Sequence, residues 1–115
     1  RGRKIAATLD GPVSDAVHFY WRNGCGFCSS LRRGLDKLGI ETVDHNIWEH
    51  PDDAATVRLY ANGNETVPTV VIGAVGMVNP SARQVAEYLE QAAPHLLPEG
   101  YEPPPPGLIQ RIFGG

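Results

Sequence analysis

The two cysteines of this 115-residue chain, Cys25 and Cys28, stand two residues apart in "FYWRNGCGFCSSLRR". They fall between an apolar run and a helix-like one, and that placement constrains the fold more than any other feature. Residues 16–21, "AVHFYW", are aromatic and β-branched and predict a strand. "RNG" predicts a turn. From Cys25 onward, Phe27, Leu31, Leu35 and Leu38 recur at the spacing of one helix face, and Gly39 ends it. A bridge between the cysteines would close a very small loop and restrict the unfolded chain little, so a structural clip is a poor explanation. A structural zinc site needs four ligands in paired spacings, and His18, His45, His50 and His95 are not spaced to supply the second pair. Redox chemistry is the reading that remains.

The rest of the chain supplies alternating elements. Residues 40–47 predict a second strand. "HPDDAATVRLYANGN" predicts a helix with Pro51 in its first turn, Asp52 and Asp53 at its positive end, and Asn62-Gly63 as its stop. Residues 67–73 predict a third strand, "AVG" a tight turn, and Met77-Val78 an antiparallel partner. In "PSARQVAEYLEQA", Ser81 and Gln84 form a capping-box pattern, with Val85, Tyr88 and Leu89 on the buried face. The order β-α-β-α-β-β-α predicts an α/β domain whose four-stranded mixed sheet is flanked by helices. A helical crossover makes the first two strands parallel, and a short turn makes the last two antiparallel.

The flanks differ from this core. Residues 1–15 show the Asp10-Gly11-Pro12 turn signal but no period, and read as an N-terminal extension. Residues 94–115 carry four consecutive prolines and read as a proline-rich C-terminal tail. Its "GLIQRIF" segment is expected to be mobile rather than folded back. A net charge of −3 speaks against a nucleic-acid binder. No apolar stretch approaches the roughly 20 residues that span a bilayer, and no start reads as a signal peptide. A cytoplasmic location is therefore expected. The chain starts at Arg1, which implies sequence upstream, and "RGRK" reads as a solvated terminus, with the cytoplasmic flank of a membrane anchor as the alternative. The four histidines are expected to be unpartnered surface or strand residues.

Cys25 falls where a strand ends and a helix begins, so its sulfur faces unsatisfied amide N–H groups and the positive end of the helix dipole. Both favour thiolate, and cysteines in such motifs titrate at about 3.5–7.5 rather than near ~8.5. Thiolate is the attacking species in thiol–disulfide exchange. Cys28 lies one turn deeper, on the face of Leu31 and Leu35, and suits a resolving role. "TVPTV" adds Pro68 at a strand start, where a missing N–H is tolerated.

With Cys25-Gly26-Phe27-Cys28, Thr66-Val67-Pro68 and the closing helix with its preceding loop, residues 16–93 resemble the glutaredoxins, within the thioredoxin-like fold. "NETVPTV" followed by "NPSARQV" is similar to the mycoredoxin branch, whose members serve bacteria that use mycothiol. The resemblance implies that the bond before Pro68 is cis, that Pro68 packs against the sulfurs, and that the backbone of Val67 pairs with the peptide part of a bound thiol. It implies a small-thiol site built from Arg22, Gly26, Phe27, Thr66, Val67, Pro68, Asn79 and Ser81 around catalytic Cys25 and Cys28. Arg22 falls where many glutaredoxins carry a lysine that meets a carboxylate. The departures are Phe27 for a tyrosine, Gly24 for an aromatic, and a 78–82 loop, "VNPSA", without the family's Gly-Gly and acidic residue.

The resulting expectation is a monomeric thiol–disulfide oxidoreductase of mycoredoxin type. Its partners would be a low-molecular-weight thiol, mycothiol or glutathione, and client proteins in mixed disulfides. No metal or organic cofactor is needed. Two alternatives come from other classes. One is a glutaredoxin-like protein holding a [2Fe–2S] cluster, a reading favoured by glycine instead of proline after Cys25. The other is a thioredoxin-like docking module without activity.

Overall fold

The computed structural model describes residues 16–103. The elements run β1 (His18–Trp21), α1 (Gly26–Leu38), β2 (Val43–Asn46), α2 (Pro51–Tyr60), β3 (Thr69–Ile72), β4 (Val75–Val78) and α3 (Ala82–Ala92), then a 3-10 turn over Pro94–Leu96. The sheet order is β2-β1-β3-β4, with β1 and β2 parallel and the other two pairings antiparallel. This is the expected order and the expected mixed sheet. The N-terminal-extension reading of residues 1–15 and the "GLIQRIF" segment lie outside the described residues. No helix among the described residues is long and apolar enough to cross a membrane.

Alternation along the strands divides the core. Phe19, Val70 and Ile72 face α1 and α3, where they pack with Cys28, Leu31, Leu35, Val85 and Leu89. Tyr20 and Val71 face the other way and pack with Ile47, Ala54, Val57 and Ala61 under α2. Each large apolar side chain buried this way contributes on the order of 1.5–3 kcal/mol. Leu96, Leu97 and Tyr101, beyond α3, also pack against the first cluster. The Tyr101 hydroxyl donates to Glu90 at 2.6 Å.

Local stop and start signals operate as read. Gly39 caps α1 with φ 75° and returns its N–H to Asp36 and Leu35 carbonyls. Pro51 opens α2, and both hydrogen bonds of the Ser81–Gln84 capping box are made. Three expectations are corrected. The hairpin turn is Gly73-Ala74, not residues 74–76, because Ile72 pairs with Val75 and a two-residue loop takes positive φ at Gly73 (63°). Phe27 is off the buried face of α1 and is 70% exposed. Eight residues before Leu35 it lies about 80° around the helix from it, whereas Cys28 lies within about 20°. On α3, Ala86 is fully buried while Tyr88 is only half-buried against the core.

Candidate functional site

The site begins with the loop that delivers Cys25 to the top of α1. Asn46, buried at the end of β2, donates from Nδ2 to Asn23 Oδ1 at 2.9 Å, and its own Oδ1 accepts from the Trp48 amide at 2.9 Å. The Ile47 amide donates to the Trp21 carbonyl at 2.9 Å. These bonds tie the 22–24 turn to the parallel neighbour strand. Gly24 takes φ 76°, a conformation that L side chains rarely adopt. The absence of an aromatic there thus has a backbone reason, and the space beside it stays open.

Cys25 is the N-cap of α1. Its Sγ accepts from the Cys28 amide at 3.1 Å, and its carbonyl accepts from the Ser29 amide at 3.2 Å. An amide donor and a helix N-terminus both stabilise negative charge on that sulfur. Cys25 is half-buried, Cys28 is 4% exposed, and the two are paired as a disulfide with Cα atoms 5.2 Å apart. The outer sulfur is thus the one that a partner reaches.

Val67 approaches from the other side, with its carbonyl oxygen 3.8 Å from Cys25 Sγ. The Val67–Pro68 bond is cis, and Pro68 is among the fully buried side chains. The Thr66 carbonyl accepts from the buried Thr69 hydroxyl at 2.9 Å, and Thr66 itself is exposed. The Asn79 amide donates to the Pro68 carbonyl at 2.7 Å, which places the start of the 79–81 loop beside Pro68. Asn79 and Ser81 are exposed, and Ser81 serves α3 as its N-cap.

A groove of about 450 Å³ opens at the cysteines, lined by Trp21, Arg22, Gly24, Cys25, Gly26 and Cys28, and further along by Phe19, Ser29, Arg32 and Asp44. Arg22 donates to the Asn23 carbonyl at 3.3 Å and its guanidinium lies 5.4 Å from the Trp48 ring. Of the sequence-predicted site, the structure gathers Arg22, Cys25, Gly26 and Cys28 along this groove. Val67 is against Cys25, Pro68 follows it across the cis bond, and Phe27 is exposed on the first turn of α1. Thr66, Asn79 and Ser81 do not line the groove. Arg32 and Asp44 were not anticipated; they stand twelve positions apart in the chain, and no local pattern marks them.

The histidines require a further correction. His18 Nδ1 and His45 Nε2 are 2.9 Å apart, and His45 Nδ1 is 3.4 Å from Asp53 Oδ1. The His45 ring stacks on Tyr20, with centroids 4.5 Å apart. If His45 carries its proton on Nδ1 toward Asp53, its Nε2 accepts from His18 Nδ1–H. The buried, unpartnered atom is then His18 Nε2 as a bare lone pair. The partners come from β1, β2 and α2, so neither residue is an isolated strand histidine. A hollow of about 460 Å³ beside them is lined by Trp21, Asn46, His50 and the acids Asp44, Glu49, Asp52 and Asp53. Among the described residues, no group of three or more His, Cys, Asp and Glu is placed to hold a metal ion.

Burial lowers the pKa of His18, reinforced by His45 and opposed by Asp53. Burial also lowers that of His45, against opposing pulls from Asp53 and Asp44. Burial first, and then Asp53, raises Tyr20 to about 12, so it stays neutral. A histidine with a lowered folded pKa favours folding where it is neutral, above its unfolded pKa of about 6.5. That stability is lost as pH falls below it, because the unfolded chain then binds more protons. Chemical denaturation at pH 7.5 and pH 5 is expected to give a lower midpoint at pH 5. The difference should shrink in His18→Phe/His45→Phe, and an unchanged pH slope in that variant would contradict the assignment.

A family model described as Glutaredoxin matches residues 17–76, just over half of the chain. Among solved structures, the fold is similar to NrdH-redoxin from Escherichia coli, a glutaredoxin-like protein, at 22% identity and TM-score 0.51, covering 62% of this chain and 91% of that one. It is similar to a glutaredoxin from Archaeoglobus fulgidus at 18% identity and TM-score 0.50, covering 63% and 83%. It is also similar to buckwheat glutaredoxin in complex with glutathione at 23% identity and TM-score 0.50, covering 81% and 88%. No curated protein matches the sequence. The chain belongs to the glutaredoxin family, and its fold is thioredoxin-like.

Proposed function

We propose that this glutaredoxin-family thiol–disulfide oxidoreductase is of mycoredoxin type and reduces mixed disulfides between client proteins and mycothiol. The Cys25 thiolate attacks the small-thiol sulfur of the mixed disulfide. The client sulfur leaves as thiolate and takes a proton from water. A second small thiol then attacks the Cys25 mixed disulfide, which releases the symmetrical disulfide and regenerates Cys25. Each turnover consumes one free small thiol, which leaves joined to the small-thiol half of the mixed disulfide, with no metal or organic cofactor. Cys28 offers the second route by displacing the small thiol from Cys25. Val67 presents its backbone to the peptide part of the thiol, Gly26 and Phe27 border the sulfur, and Arg22 stands ready for a carboxylate. Thr66 and Pro68 flank Val67 in the chain, the Asn79 amide bonds the Pro68 carbonyl, and Ser81 caps the helix that follows.

The choice of thiol is carried by one observation: the carboxylate of the groove, Asp44, is already engaged. It pairs with Arg32 at 2.6 Å and accepts from the Thr42 hydroxyl at 2.6 Å. The 78–82 loop supplies no acid. Glutathione brings an ammonium that gains from a carboxylate partner, whereas mycothiol presents an acetylated cysteine on an uncharged sugar pair. Losing one charge-assisted contact costs about 1.5–3 kcal/mol, one to two decades in affinity. Arg22 favours glutathione through a carboxylate, but an exposed pair is worth under about 1 kcal/mol. Mycothiol-linked disulfides are therefore expected to turn over at least about tenfold faster in kcat/KM than glutathione-linked ones. Equal rates, or a preference for glutathione, would refute the mycothiol assignment and leave a general glutaredoxin reductase.

A further inference from the structure

Cys28 is nearly buried, yet what it exposes opens into the groove. The charged residues along that groove are Arg22 after β1, Arg32 on α1 and Asp44 on β2. Arg32 stands one turn beyond Cys28 on α1, and residues four apart on a helix have Cβ atoms roughly 5–6 Å apart. Its guanidinium is fixed from three directions. It lies 4.5 Å from the Phe19 ring centre, donates to Thr42 Oγ1 at 2.9 Å and pairs with Asp44. Phe19 and Cys28 share one core cluster, so the cation is held at the edge of the apolar layer that contains the sulfur.

A resolving cysteine attacks as thiolate, and burial among Phe19, Leu31 and Leu35 opposes that charge. We propose that Arg32, held by Asp44, is a positioning residue that stabilises the Cys28 thiolate and so sets the rate at which the mixed disulfide closes. The proposal rests on the reading of Cys25 as the attacking sulfur. In the step it governs, Cys28 gives its proton to water and its thiolate attacks Cys25 Sγ. The Cys25–Cys28 bond forms, the bond from Cys25 to the small thiol breaks, and the small thiol leaves as thiolate and is protonated by water. Cys28 supplies the electron pair, and the departing thiol is reduced. Asp44 acts in two opposed ways: it helps to fix Arg32 and partly cancels its field. Because Thr42 and Phe19 also hold Arg32, neutralising Asp44 leaves the cation in place and unmasked.

The test uses the full chain, reduced and mixed with the aromatic disulfide 5,5′-dithiobis(2-nitrobenzoate) in stopped flow. Attack by Cys25 releases one yellow thiolate, and closure by Cys28 releases a second. A neighbouring cation favours thiolate over thiol, and thiolate lost with it is partly offset by greater nucleophilicity. Arg32→Met is therefore expected to slow the second phase about three- to tenfold at neutral pH and move its pH profile to higher pH. Arg32→Lys should recover most of the rate. Asp44→Asn should speed the phase about two- to threefold and move the profile to lower pH. An unchanged second phase in Arg32→Met would overturn the proposal. So would slowing in both variants with a fixed pH profile, the mark of a merely structural pair. Slowing in Asp44→Asn with an altered profile would make Asp44 the proton acceptor, and would overturn the role given to Arg32. If the unmodified chain lacks a first phase, Cys25 does not attack and both readings fall; a normal first phase with an insensitive second phase removes this one alone.

Discussion

Cys25→Ser is expected to lower reduction of a mixed disulfide by at least about a thousandfold, because a serine hydroxyl cannot replace a thiolate in sulfur exchange. Cys28→Ser should stay within roughly tenfold of the unmodified chain, since the second small thiol still regenerates Cys25. The contrast follows from placement. Cys25 is the N-cap sulfur that accepts the Cys28 amide, and that amide belongs to the backbone, so it survives the Cys28 substitution. Cys28 faces the core with Leu31 and Leu35. Steady-state reduction of a small-thiol mixed disulfide by both variants decides the matter. If Cys28→Ser is as inactive as Cys25→Ser, the one-cysteine route fails and the protein works through the pair alone.

The sequence carried the cysteine site further than its surroundings, for a physical reason. Strand end, Cys-x-x-Cys and amphipathic helix are contiguous in the chain, so the position of Cys25 on the dipole could be read locally. The Ser81–Gln84 capping box and the Gly39 stop are local in the same sense. What escaped reading depends on which strands become neighbours. The Asn46–Asn23 bond that fixes the loop spans 23 residues, and the His18–His45 contact spans 27. The Arg32–Asp44 pair exists because β2 lies parallel beside β1, which brings Asp44 level with Phe19. Asp44 has neither a period nor a motif to mark it, and Arg32 reads as one more exposed helix arginine.

Gly76 is the sharpest case of the same kind, and Gly76→Ala is expected to destabilise the fold by about 1–3 kcal/mol, as overpacking does. In the sequence Gly76 looked like part of a turn, where glycine is chosen for its backbone. In the structure it lies inside β4, opposite Val71, and takes no positive φ. Its reason is space: a Cβ there would overlap the Tyr60 ring, whose nearest carbons sit where the methyl would go. Tyr60 projects from the last residue of α2, so the glycine lets helix and edge strand close against each other. At roughly 4–8 °C per kcal/mol for a domain of this size, thermal unfolding should fall by several degrees to about 20 °C. The double variant Gly76→Ala/Tyr60→Ala should lose less than the sum of the two single changes, because removing the ring removes the overlap. Activity per folded molecule should change little, since the β3–β4 register that sets Pro68 against Asn79 lies at the hairpin's other end. An additive double variant would mean that the ring is not what the glycine accommodates.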